Sequence, residues 1–573
     1  MPPTIPNWLG RPEARTVLAV LAGVLWAFAF PRFNFALAAW LVPGLMLLLG
    51  VGVSARRAAV LGYLAGLSHH LIALSWLLNI PFPIGNIAAW LSLSAYCALY
   101  PAAWMWLCHR LRQRISPCTV AGEGARFVGS MPIPGTQPLK FGGTTWQALN
   151  GLLAAPWLNR QLWLLFGASA WTGAEFLRGW FLSGFPWNFL AASQYELLPL
   201  IQLASVTGVH GISFVVVWMS LTLAAGAAFV LVRPHARFAW KNEIALSLVV
   251  LLLLIVWGVG RTTKPSRSSA RTLRAALVQP SIPQTLIFDP AENTNRFRQL
   301  LELTREVVAT APDLLIWPEA ALPAISREQF EELRTLLQEH RMPFIFGAGD
   351  AEPRPGGDGG QWIHFNAALH FDAGGSRRQS YRKQRLVIFG EYTPLARQLP
   401  FLADWLPAGE GFGTGEGPVT FRIEPADANI PVNICFEDNF ADIVRAQVGP
   451  ETDFVLNLTN NGWFGESAAQ WQHAANAVFR AVECGVPLVR CTNNGLTCWI
   501  DERGRIRQIF TDARGSVYGS GTVVFGLPLR EVDVPRRMTI YHRYGDWFGW
   551  LCLAITLAGA FAALVRRPSQ AVP

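Results

Sequence analysis

The chain is 573 residues long, with 51% hydrophobic but only 15% charged residues, and it carries 24 Trp and 35 Phe. A soluble globular protein carries about 25% charge, so the composition excludes a wholly soluble chain. The net charge of +9 would suit nucleic acid, but the basic residues fall where membrane topology puts them, which excludes that role.

Crossing a bilayer takes about 20 apolar residues, and stretches of that kind lie near 16–31, 33–53, 58–80, 86–108, 162–181, 199–232, 244–260 and 546–565. The first resembles a signal-peptide core in length. Pro31 and Arg32 stand where a small-residue cleavage site belongs, so it reads as a retained helix. The 199–232 run is long enough to tilt or to begin with an interfacial segment. Arg11, Arg15, Arg56, Arg57, Arg110, Arg112, Arg233, Arg237, Arg566 and Arg567 share one side, and Arg32 stands nearly alone on the other. Because cytoplasmic loops retain Lys and Arg, both termini are expected in the cytoplasm. Residues 1–260 then form a membrane domain of seven helices, with a Gly-, Pro- and Thr-rich cytoplasmic loop at 115–160. Residues 261–545 form an extracytoplasmic domain, and 546–573 an eighth helix and tail.

Past the polar linker 261–271 the pattern changes to short strands and amphipathic helices. RAALVQPSI is a strand, NTNRFRQLLELTREVVATA a helix, and DLLIWPEAAL a buried strand running into a loop. A helix near 327–340 precedes the strand MPFIFGAGD. FNAALHFDAGG, the approach to LVIFGEY, PVNICFED and FVLNLTNNGWFG supply further strands. A helix over 468–484 leads to PLVRCTNNGLTCWID, GRIRQIFTD and GTVVFGL. This order implies a layered α/β sandwich. Of the eight cysteines, Cys435, Cys484, Cys491 and Cys498 lie in this domain, where export would permit disulfides. No CxxC or Cys/His spacing suggests a metal site, and pairing among Cys484, Cys491 and Cys498 stays open.

Three polar patches end apolar strands: WPEAALP (317–323), YRKQRLVIFGEY (381–392) and NICFED (433–438). Strand ends are where α/β domains build sites. A free thiol, with a pKa of about 8.5, is only slightly ionised near neutrality, so a nucleophilic cysteine needs a base and a cation to hold the developing oxyanion. Glu319, Lys383 and Cys435 supply one of each. Taken singly, each has a plainer reading: a buried strand cysteine, a capping glutamate and a solvated lysine.

The order Glu, Lys, Cys resembles the nitrilase superfamily. More narrowly, nearly the whole chain resembles the apolipoprotein N-acyltransferase family. The matching pieces are FPWNFLAASQ (185–194), VQPSIPQ (278–284), WPEAALP, Y-x-K-x-x-L-V-x-F-G-E-Y (381–392), C-x-E (435–437), NLTNNGWFG (457–465) and RCTNNG…ID (490–501). The resemblance implies a multi-span helical membrane domain plus an αββα sandwich in a bacterial inner membrane, with the catalytic domain periplasmic and no cofactor. It implies that Glu319 is the general base, Lys383 stabilises the tetrahedral intermediate and Cys435 is the nucleophile. Phe436 N–H would serve the oxyanion, Glu391 and Glu437 would support the triad, and Trp187 and Phe288 would contact substrate. The sequence departs from the family's pattern at Phe288, Ile388 and Phe436, commonly Trp, Pro and Tyr. The implied reaction moves an acyl chain from a phospholipid, through a Cys435 thioester, to the α-amino group of a diacylglyceryl-cysteine on an apolipoprotein. Two rivals are a membrane-tethered nitrilase or amidase hydrolysing small amides and a transporter or sensor with a ligand-binding domain.

Lipid chemistry gives such a domain reason to sit on a membrane. At about 0.8 kcal/mol per CH₂, extracting a lipid of roughly 30 methylenes costs on the order of 24 kcal/mol, which a lateral entrance avoids. Glu175 and Arg178 beside FLSGFPWNFL (181–190) either frame such an entrance or form an ion pair that locks helix packing. His69 and His70 read as packing or hydrogen-bonding residues.

Overall fold

A computed structural model describes residues 11–115, 144–233, 238–263, 271–322, 325–354, 361–394, 398 and 411–565. Most of the expected 115–160 loop lies outside them. The second half of the chain folds into two six-stranded sheets. The first is built from β1 (Thr272–Gln279), β2 (Leu314–Ile316), β3 (Phe344–Pro353), β4 (Trp362–Phe371), β5 (Arg377–Arg382) and β12 (Gly521–Pro528), in the order β12-β1-β2-β3-β4-β5. The second holds β6 (Thr420–Ile423), β7 (Ala428–Ile434), β8 (Val455–Thr459), β9 (Leu488–Thr492), β10 (Cys498–Ile500) and β11 (Ile506–Ile509), in the order β11-β10-β9-β8-β7-β6.

Alternation along β1 shows how the layers are specified. Leu273, Ala275 and Leu277 face the inter-sheet core with Val432, Ile434, Leu456 and Val489. Ala276 and Val278 face outward, onto helices Asn293–Val308 and Arg327–Glu339 through Leu300, Leu301, Leu333 and Leu337. The second of those helices starts with a capping box, Ser326 with Gln329. The outer face of the second sheet is covered by helix Ala469–Cys484, whose Val478 and Val482 share one core with Leu200, Ile201 and Ile212 of the membrane region. The αββα sandwich therefore rests its second helical layer on the membrane helices.

Those helices run Pro12–Phe28, Ala55–Ala73, Gly85–Ile115, Trp157–Arg178, Val209–Val232, Trp240–Thr262 and Trp547–Leu564. Among the described residues, four are long and apolar enough to cross a membrane by length and composition: Gly85–Gln113, Val209–Val232, Trp240–Thr262 and Trp547–Leu564. The 33–53 stretch folds as a 3₁₀ turn, Ala36–Trp40, and a short helix, Val42–Leu49. Eight helical residues rise about 12 Å, less than half the ~30 Å apolar core. The 199–232 run breaks at Gly208, whose φ of +68 and close approach to the Tyr541 ring exclude a side chain. Small residues let helices touch elsewhere, as where Gly62 and Gly66 meet Pro101 and Ala98.

Gly347 in β3 lets the backbone of Pro318, Glu319 and Ala320 pass closely. A Cβ there would lie 2.5 Å from Glu319 Cα and 2.7 Å from Pro318 O. Backbone cannot yield as a flexible side chain does, so Gly347→Ala is expected to destabilise the domain by about 1–3 kcal/mol. A lower Tm in detergent checks it; an unchanged Tm would mean that the 317–320 segment relaxes freely.

Candidate active site

β2 and β3 run parallel, and β5 shares their direction because it is antiparallel to β4, itself antiparallel to β3. β7 and β8 are also parallel. The chain leaves β2, β5, β7 and β8 into Trp317–Glu319, Lys383, Cys435 and Asn460 respectively. Hydrogen bonds and charges draw these four exits together.

Lys383 is the centre. Its side chain is 1% exposed, with Nζ 2.8 Å from Glu391 Oε1 and 3.5 Å from Glu319 Oε1. Burial opposes its charge, but Glu391 and Glu319 more than offset this and hold its pKa above that of an ordinary lysine. Asn366 on β4 donates through Nδ2 to both Glu319 Oε1 (2.8 Å) and Glu391 Oε1 (2.9 Å). Asn460 N–H reaches Glu319 Oε2 at 2.8 Å, and Val387 N–H reaches Glu391 Oε2 at 2.8 Å. Trp317, buried on the helix side with its indole donating to Thr304, anchors the segment that presents Glu319.

Cys435 is partly exposed and has a φ of +52, in the left-handed region that a β-carbon disfavours. The strained residue marks the point where β7 turns into the 3₁₀ segment Cys435–Asn439. Asn457 Nδ2 donates to its carbonyl at 3.0 Å. Burial and the negative charge of Glu319 push the thiol up to about 12, while Lys383 pulls it down. The resting group is therefore a thiol, flanked by a carboxylate able to take its proton and an ammonium able to hold a new negative charge.

Glu437 ties the turn to the lysine strand. Its Oε1 accepts from Gln384 N–H (2.7 Å) and Arg385 N–H (3.0 Å); its Oε2 accepts from Tyr381 OH (2.8 Å) and Ile434 N–H (2.8 Å). Burial raises its pKa against Lys383 and these backbone donors. Asp438 joins it from behind, meeting His473 Nε2 at 2.7 Å and Arg490.

Glu319, Lys383, Cys435, Glu391, Phe436 and Glu437 are thus brought together. Trp187 is placed differently from a residue resting at a lipid interface: it is 2% exposed, its indole donates to Gln472 at 2.8 Å, and its ring lies 6.1 Å from Phe436 at 25°. Phe288 is 56% exposed, with Trp463 at 6.4 Å. Glu175 and Arg178 are both buried and each binds the loop between them and the site. Glu175 accepts from Leu190 N–H (2.8 Å) and Trp171 (3.0 Å), and Arg178 reaches Asn188 O and His70, each at 3.4 Å. The two do not form the ion pair of the second reading; each takes loop and ring partners instead. His69 stacks on Trp26 at 3.9 Å. Every described cysteine is a free thiol, Cys484, Cys491 and Cys498 included. Asn366, Asn460, Gln472 and His473 were not singled out from the sequence, although Asn460 lies inside a quoted motif; nothing in the periodicity sets these polar side chains apart from surface ones.

A profile of the apolipoprotein N-acyltransferase N-terminal domain matches residues 22–222, and one of carbon-nitrogen hydrolases matches 274–518. An apolipoprotein N-acyltransferase of Geobacter metallireducens is 30% identical over 573 residues, covering 98% of each chain. One from Vibrio vulnificus is 29% identical, covering 96% of this chain and 98% of its own. An amidase from Nesterenkonia sp. of known structure aligns with 47% of this chain and 94% of its own at 18% identity and a TM-score of 0.32.

The charge arrangement fixes the sign of one titration. Lys383→Met removes the influence that lowers the Cys435 pKa, so the thiolate fraction at any given pH falls. The pH curve for iodoacetamide labelling of Cys435, followed by mass spectrometry, should move to higher pH. A curve that stays in place or moves lower would mean that the ammonium does not act on the thiol.

Proposed function

The chain belongs to the apolipoprotein N-acyltransferase family, and from that membership we propose that Cys435 carries an acyl group, as a thioester, from a phospholipid to a lipoprotein. The protein is a membrane N-acyltransferase with a nitrilase-fold domain, acting in lipoprotein N-acylation. Our reading of its chemistry is as follows. Glu319 takes the Cys435 proton as sulfur attacks the ester carbonyl of a phospholipid. The Lys383 ammonium holds the oxyanion of the tetrahedral intermediate, the kind of fixed charge that is worth most in a dry site. Collapse breaks the C–O bond, the leaving lysophospholipid oxygen takes the proton from Glu319, and the thioester remains. The α-amino group of a diacylglyceryl-cysteine then attacks that carbonyl. An amide bond forms, the C–S bond breaks, and the proton lost by nitrogen returns to sulfur through Glu319.

The observation that supports this reading best is the buried Lys383, held by Glu319 and Glu391 at the turn that presents Cys435. A membrane-tethered amidase acting on small amides would use the same triad but leave the match over 22–222 without a purpose. We place both termini in the cytoplasm and residues 261–545 in the periplasm, on the distribution of Lys and Arg.

Purified protein incubated with phospholipid should gain the mass of one acyl chain, removable by hydroxylamine, with release of lysophospholipid. Cys435→Ala should gain none while keeping its Tm, because the thiol supplies a bond more than packing. Acylation of that variant at wild-type rate would overturn the assignment. For topology, reporters fused after Arg57 or Arg237 are expected to be cytoplasmic, and protease added to spheroplasts should cut within 261–545 but spare a C-terminal tag. Cleavage of the tag with the domain intact would reverse the orientation.

A further inference from the structure

Helix Ala469–Cys484 has two working faces. One holds the nucleophile's turn: His473 Nε2 meets Asp438 Oδ1 at 2.7 Å, Asn476 donates to Asn439 Oδ1 at 2.7 Å, and Arg480 donates to Asn439 O at 2.9 Å. The other meets the membrane segments through Gln472, which is 2% exposed. Gln472 Oε1 accepts from the indoles of Trp187 (2.8 Å) and Trp76 (3.1 Å), and its Nε2 donates to Pro31 O (2.8 Å) and Ala73 O (3.2 Å). These partners come from three separate segments of the membrane region.

The chemistry of the partners leaves one solution. An indole N–H only donates and a backbone carbonyl only accepts, so the site needs two acceptor directions at one end and two donor directions at the other. A primary amide of this length supplies both, and the same constraint fixes which end is oxygen. The bonds also close a ring. Trp187, held by Gln472, lies along Phe436, the residue after Cys435, and its ring is 5.5 Å from that of His473. His473 leads back to the turn through Asp438.

We propose that Gln472 is a positioning residue for acyl transfer from the bilayer: it sets the height of helix Ala469–Cys484, and with it the Cys435 turn, over the membrane helices. A lipid ester held by the bilayer arrives at a height the enzyme does not choose, so the thiol must be brought to it. A small soluble ester reaches the thiol from any height. This inference rests on Cys435 being the acyl carrier.

The test uses full-length enzyme in vesicles of phosphatidylethanolamine and phosphatidylglycerol, with thioester formation on Cys435 read by mass. Acylation by p-nitrophenyl acetate runs in parallel. In Gln472→Glu, a protonated carboxyl keeps an acceptor for the indoles and one O–H for Pro31 O, whereas an ionised one turns an acceptor toward two carbonyls. Burial raises that carboxyl's pKa. The lipid rate of Gln472→Glu, divided by the wild-type rate at the same pH, should fall by about tenfold per pH unit once the carboxyl ionises. Gln472→Met, without any of the four bonds, should give a ratio that is low and flat with pH. Both should keep the soluble-ester rate within about twofold of wild type at the low end of the pH range. Lipid and soluble-ester rates falling together would overturn the proposal and leave Gln472 as a support of the fold. So would a lipid rate equal to wild type in both variants. No thioester on wild-type Cys435 would instead mean that the carrier assignment had failed, and this inference with it.

Discussion

A buried ammonium with more than one carboxylate around it is the constraint on which the site depends. Lys383 is almost wholly shielded from water, and an unpaired charge at that depth would cost several kcal/mol. Glu319 and Glu391 remove the penalty, but two carboxylates beside one cation leave an excess of negative charge. The excess is spread over neutral donors: Asn366 to both, Asn460 N–H to one, Val387 N–H to the other. Each donor comes from a different strand or loop, so the ion cluster also sets the register between the two sheets. Breaking one pair would leave a buried charge and a loosened sheet contact together, which is why chemistry and stability cannot be separated here.

The same economy governs how the sandwich meets the membrane. A nitrilase-fold domain in solution would wet the outer face of helix Ala469–Cys484. Here that face has lost its water and must find other partners. Apolar positions do so by sharing a core with Leu200, Ile201 and Ile212. Polar ones are matched group by group. Gln472 takes two indoles and two carbonyls, and Glu483 Oε1 accepts from Val209 N–H (2.8 Å), at the first turn of helix Val209–Val232. That N–H has no partner within its own helix, and a carboxylate suits the positive end of the helix dipole. The interface therefore has a defined position, not merely an affinity.

How far the sequence could be read follows from which forces leave a pattern. Strands and helices of the sandwich were legible because strands buried on both faces read as short apolar runs, as in β1, and the helices between them are amphipathic. Glu319 and Cys435 were legible because each stands just past an apolar strand inside a dense motif; Lys383 follows the polar strand RRQSYR, against the expectation of an apolar one, and was legible from its motif alone. The short helix Val42–Leu49 was not: hydropathy records apolarity and says little about where a helix ends. Trp187 is expected, from the resemblance, to contact substrate. Its real partner, Gln472, lies 285 residues away, and no local period encodes such a pairing. Asn366 was missed for a related reason. It sits in an apolar strand, FNAALHF, where one amide looks like a tolerated polar residue until two carboxylates are seen to share it.

The high pKa of Cys435 resolves an apparent conflict between reactivity and setting. In the proposed orientation the sandwich carries Cys435, Cys484, Cys491 and Cys498 into an oxidising compartment, and all four are free thiols. Thiolates, not thiols, enter disulfide exchange and oxidation. Burial pushes Cys484 and Cys498 up to about 12 and raises Cys491 as well, so desolvation keeps those three as thiols. Cys435 is raised as well, by burial and Glu319, with Lys383 acting the other way; arginines act likewise on Cys484 and Cys498, but of the four only Cys435 is partly exposed. In the mechanism we propose, its thiolate is reached as a proton passes to Glu319 while negative charge moves off sulfur and onto a carbonyl oxygen near the ammonium. In that proposal the carboxylate that makes resting sulfur harder to ionise is the same group that takes the proton when substrate is in place.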